Sequence, residues 1–220
     1  PDQETLDAIK TNKSLILKLS RERIWKELKI ILSSKAINSV ILLMNKTGVL
    51  TTIFPHACLG EIKKMSRLEK LLEKIIYEQN NFRNDVGFCD PIRRLALLSG
   101  GEFDSHNVIL SLDKKEIKLL NFYQQYFSRI PESWHLIGFH YHLQKGIDLL
   151  LWIMTKGKEH INPKFEKEAK IILTICVKKI FEGSKEKFPL TGEDLLKKGY
   201  AGRNLGLVLK ELKKDWISSD

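Results

Sequence analysis

The chain has 220 residues, 43% of them hydrophobic, which is enough for a packed core and excludes a disordered tail. Its 37 Lys and Arg outnumber 27 Asp and Glu, a net charge of +10 that points to nucleic acid or another anionic surface as partner. The cysteines Cys58, Cys89 and Cys176 form no C-x-x-C pair, so neither a zinc site nor a disulfide frame is expected; free thiols suit a reducing cytoplasm, and no apolar run approaches membrane-spanning length.

The hydrophobic period is helical almost everywhere. Leu6 and Ile9 mark a first helix that continues or restarts over 14–19. Ser20 is the expected N-cap of a helix carrying Ile24, Leu28 and Ile31, and Glu22 in its first turn suits the helix dipole. Ile37, Val40, Ile41 and Met44 form the next helix, closed near Gly48, and 49–54 reads as a short helical turn or a strand. A long amphipathic helix follows over 61–80, then a loop over 81–91. Asp90 caps a helix with Pro91 at its first position. Gly100-Gly101 breaks that helix, and Asp113 with Glu116 opens another that runs to about Phe127. Pro131 separates it from a helix over 132–143, and Gly146 is expected to divide that from 147–156. Asn162-Pro163 starts a helix to about Glu182, with a hinge expected over 183–188. Thr191 and Asp194 cap a short helix, and a last one covers 203–217. The reading is all-α, roughly ten or eleven helices with short connections and no fixed-period repeat.

The familiar catalytic signatures are missing. There is no P-loop, no G-x-G-x-x-G and no G-x-S-x-G. No carboxylate pair sits at a strand end, where two-metal nucleotidyl transfer would need it. His135, His140 and His142 cluster, but 140 and 142 project about 200° apart on a helix; 135 and 142 could share a face. Without a paired acid or thiol they read as helix-lining residues among Trp134, Phe139 and Tyr141.

The C-terminal region carries positive signal. Between Lys156 and Trp216 stand 15 Lys and Arg against 9 Asp and Glu. Lys197 and Lys198 precede a turn in which Gly202 permits a positive φ and lets backbone N–H groups approach an anion. Arg203, Gly206, Lys210, Lys213 and Lys214 follow. Such a clamp binds phosphates without reading bases. The competing reading is a plain helical hairpin packed by Leu195, Leu196, Leu205, Val208 and Leu212, and a clamp needs that same scaffold.

Asp2-x-Glu4-Thr5-Leu6-x-Ala8-Ile9, then Leu19-Ser20-x-Glu22-Arg23-Ile24-x-x-Glu27-Leu28, resembles the neck of class II tRNA nucleotidyltransferases, the CCA-adding enzymes and their bacterial poly(A) polymerase relatives. Gly48-Val49-Leu50-x-x-Ile53-Phe54-Pro55, Arg94-Leu95-Ala96-Leu97-Leu98 and the segment 188–212 are similar to further parts of the same family. The resemblance implies an elongated all-α array: neck helices over 1–55, a helical body over 56–182 and a helical tail over 183–220. It implies that this array cradles tRNA in the cytoplasm, while a separate α/β head holds the catalytic carboxylates and Mg. Neither the head nor the nucleotide-selecting Glu-Asp-x-x-Arg motif occurs here. The start at Pro1, with the first methionine at Met44, therefore reads as a fragment. Ser20, Glu22, Arg23 and Glu27 match a neck motif that buttresses the nucleotide-selecting helix. Ala201-Gly202-Arg203 stands near where members of that family often have proline.

The expectation is a tRNA-binding portion, inactive alone and without a cofactor, that positions the 3′ end for CCA or A addition. Two alternatives remain: a helical subunit docking a separate head chain through Ile9, Leu15, Ile24 and Trp25, or an inactive remnant whose charge only solvates its surface.

Overall fold

The computed structural model describes residues 1–79, 86–100, 110–125, 133–157 and 163–218. Among them are eleven α-helices, one 3-10 segment and no strand. The first four helices are α1 (Gln3–Asn12), α2 (Arg21–Leu32), α3 (Ile37–Lys46) and α4 (Val49–Ile53), with the 3-10 segment Lys13–Lys18 between α1 and α2. α5 (Leu59–Gln79), α6 (Pro91–Leu98), α7 (Lys114–Gln125), α8 (Trp134–Lys156) and α9 (Pro163–Lys185) follow, and α10 (Gly192–Lys197) and α11 (Gly202–Ser218) end the chain.

Local chemistry sets most of the boundaries. Ser20 Oγ accepts from Arg23 N at the start of α2, and Asp90 caps α6 with Pro91 at the first position, where no N–H is needed. Asp113 and Glu116 exchange backbone bonds ahead of α7, as the capping-box pattern predicts. Thr191 and Asp194 form a complete capping box on α10. Gly48, at φ 76°, reverses the chain between α3 and α4 in a left-handed conformation that suits glycine. Residues 49–53 are thus helix rather than strand.

One apolar core runs through α2 to α9, and α6 sits at its centre. Every residue from Ile92 to Leu98 is buried, including Arg93 and Arg94. Two buried guanidinium groups demand anionic partners, because an unpaired charge there would cost several kcal/mol, roughly 3–5. Glu69 of α5 lies between them, and Asp148 of α8 receives Arg93 Nη1. Burial pushes the Asp148 carboxyl up, to about 7, against the pull of Arg93. A second polar tie joins α2 to α7: Trp25 Nε1 donates to Glu116 Oε2 at 3.0 Å, and Lys29 Nζ to Oε1 at 2.7 Å.

α8 and α9 pack antiparallel and very close. A β-carbon on Gly138 would lie 2.0 Å from the Ile180 carbonyl oxygen, and one on Gly183 would lie 2.0 Å from that of His135. Glycine is required at both crossings for the backbones to touch.

Several expectations are corrected. α8 does not break at Gly146, which is buried inside it; the break is at His142, with φ 62° and ψ 173°. That break also removes the shared face of His135 and His142. The hinge expected over 183–188 is displaced, because α9 continues to Lys185 with Gly183 locked against α8. Ile24 and Trp25 are core residues, so they form no exposed docking face. The loop 81–85, the Gly101 break, the Phe127 end, the Pro131 separator and Asn162 lie outside the described residues.

Candidate nucleic-acid interface

The N-terminal helices carry a cationic surface built by the period of α2. Its apolar residues Ile24, Trp25, Leu28 and Leu32 face the core, which leaves Arg21, Arg23, Lys26 and Lys29 outward. Lys29 is held by Glu116, which raises its pKa through their hydrogen bond. Lys18, Arg21, Arg23, Lys26 and Lys46 are exposed and form no salt bridge among the described residues. Lysines and arginines of this kind keep their charge for an external anion.

The neck-motif residues divide by role. Ser20 is the cap, and Glu22 is exposed in the first turn. Arg23 and Glu27, one turn apart, stand at an apolar cleft of about 150 Å³ floored by Ile24, Leu28, Met44 and Ile53. Leu15, Leu17 and Leu19, beside it, are 47%, 52% and 42% exposed.

The C-terminal pair assembles most of the other predicted residues. Lys197 ends α10 and Lys198 is its C-cap; the positive-φ glycines Gly199 (φ 88°) and Gly202 (φ 57°) follow, and Arg203 stands next to Gly202 in the first turn of α11. Arg203, Gly206, Lys210 and Lys213 recur at helical spacing along one face of α11. Arg203 and Lys210 are exposed, and open space surrounds Gly206. Lys213 is turned differently: its ammonium sits 4.7 Å from the Phe139 ring centre, so part of its charge is spent within the fold. Burial, then Lys213, lowers the pKa of the neighbouring His140. Lys214 belongs to the same helix, but its side chain lies outside the described residues. Trp216 packs on Phe139 and Phe188, with centroids at 5.3 and 5.7 Å, and docks α11 on α8.

The buried group Arg93, Arg94, Glu69 and Asp148 was not foreseen. Arg93-Arg94 inside an apolar run was its one sequence signal. Among the described residues no three His, Cys, Asp or Glu side chains are placed to hold a metal ion, and no helix is long and apolar enough to cross a membrane.

Residues 1–59 match the family described as "Probable RNA and SrmB- binding site of polymerase A". The match spans α1 to α4 and supports an RNA-binding region of the poly(A) polymerase kind there. No curated protein matches the chain significantly.

Proposed function

We propose that this chain is the neck (1–55), body (56–182) and tail (183–220) of a tRNA nucleotidyltransferase of the CCA-adding or poly(A) polymerase family. It holds tRNA through phosphate contacts and shape, so that a catalytic head outside residues 1–220 adds CCA or A to the 3′ end. The observation that carries this reading is the family match over 1–59, laid on exposed cations that form no salt bridge among the described residues: Lys18, Arg21, Arg23, Lys26 and Lys46. Lys197, Lys198, Gly202, Arg203, Gly206 and Lys210 form the tail contact, and Mg belongs to the head.

The test is fluorescence anisotropy with a labelled tRNA transcript between 50 and 200 mM salt. With six or more phosphate contacts the affinity drops by about a thousandfold or more over that range. An affinity that is absent at low salt, or indifferent to salt, leaves the surface charge as mere solvation and ends the reading. In an incorporation assay the chain alone should add neither labelled CTP nor ATP, and activity from it would overturn the placement of the catalytic head elsewhere.

The individually exposed Leu15, Leu17 and Leu19 favour a second reading, in which a separate head chain docks on this segment. Co-purification with such a head, lost in a Leu15→Ser, Leu17→Ser variant, tests it.

A further inference from the structure

Lys63, Arg67, Lys70 and Lys74 are all exposed and recur on one face of α5. Their spacing sets them in a row about 16 Å long, each about 4.5–6 Å beyond the last. The carboxylates of the same helix do not offset them. Glu61 pairs with Lys156 at 2.7 Å, Glu73 with Lys35 at 2.7 Å and Glu78 with Lys170 at 3.2 Å, while Glu69 is buried between the two arginines. The row is therefore a patch of net positive charge.

The first three of these cations line a groove of about 520 Å³ between α3 and α5. Asn38 and Ser39 of α3 also line it, with aliphatic surface from Ile41 and Ile62 and the exposed Leu42. No acidic residue lines it among the described residues. Asn38 Oδ1 is shielded and has no hydrogen-bond partner there. A positively charged groove tracks a nucleic-acid backbone, and the aliphatic floor beside this one gives unpaired bases an apolar surface to lie against. The groove is too small for a duplex.

We propose that the α3–α5 groove is a track for single-stranded RNA, with phosphates along Lys63, Arg67 and Lys70 and bases over the aliphatic floor. It deepens the RNA-binding reading above and rests on it. Phosphate contacts carry no sequence information, so the cationic row holds the strand by its backbone whatever its sequence.

The experiment is anisotropy of a fluorescein-labelled 12-nucleotide oligo(U) on the full chain, with thermal melting followed by circular dichroism for every variant. The triple variant Lys63→Gln, Arg67→Gln, Lys70→Gln weakens binding by at least about tenfold and reduces the salt slope by about 2, near 0.7 per lost contact. Leu42→Glu, a single exposed substitution that puts a carboxylate at the groove, weakens it as well. A control triple, Lys18→Gln, Arg21→Gln, Lys26→Gln, separates this site from the N-terminal surface. If the control loses affinity while both groove variants stay within about twofold, the track is wrong and the general RNA-binding reading survives. If the unmodified chain binds neither oligo(U) nor tRNA at low salt, both fall. If a 12-residue oligo-glutamate displaces the RNA equally well, the groove is a seat for acidic protein and the RNA track is overturned.

Discussion

Arg94 on α6 grips Glu69 on α5 edge-on: Nε lies 3.1 and 3.2 Å from the two carboxylate oxygens, and Nη2 completes the fork. Its remaining nitrogen, Nη1, caps the end of α2 through the carbonyls of Leu32 and Ser34. One side chain thus ties three helices together at 2% exposure. Arg94→Ala should cost about 3–5 kcal/mol, because it leaves buried oxygens without donors. Arg94→Lys should recover little, since an ammonium lacks the planar fork. Urea denaturation measures both, and a loss below about 1 kcal/mol in the alanine variant would contradict this role.

Gly183→Ala and Gly138→Ala force a methyl group into the backbone of the facing helix. Alanine is the better helix former by about 1 kcal/mol, yet overpacking of this kind typically costs about 1–3 kcal/mol and should win. Gly206→Ala, in open space on α11, should instead stabilise its helix by up to about 1 kcal/mol. Opposite shifts of the melting temperature are the outcome to look for.

His142 holds φ and ψ values that only glycine adopts without strain. His142→Gly is expected to stabilise the fold by about 1–3 kcal/mol, and His142→Val to destabilise it. Chemical denaturation decides, and a destabilised glycine variant would show that the imidazole itself holds the break.

Asp194 has its pKa lowered by the Thr191 hydroxyl, then by the Thr191 backbone N–H. The folded tail therefore favours the ionised carboxylate. That contribution is complete above the ordinary value of 3.8 and disappears as pH falls through the lowered one. Amide exchange in α10 should accelerate over that interval relative to the intrinsic rate. In Asp194→Asn the step should vanish.

Helix positions were legible because their signals are local. Ser20, Asp90, Asp113 and Thr191 cap the helices they were expected to cap, since a cap is a bond between residues two or three apart. Gly146 misled because a glycine in a helix reads as a break, whereas here it admits Ile180 of the facing helix. Trp25 misled because its partner, Glu116, is 91 positions away. The basic residues of the last helix stand in the sequence, but nothing there shows that Phe139 draws Lys213 inward.

By itself the chain determined an all-helical scaffold, its capped boundaries and a basic total, all of which follow from short-range periodicity and composition. Only the tertiary structure decided which charges face solvent. Residues 60–155 hold 13 basic and 12 acidic side chains and look almost neutral as text. Partners brought in from other helices and from the α2–α3 turn neutralise or bury the carboxylates of α5, and its row of cations emerges. Surface potential depends on pairing across space, and pairing across space is what folding sets.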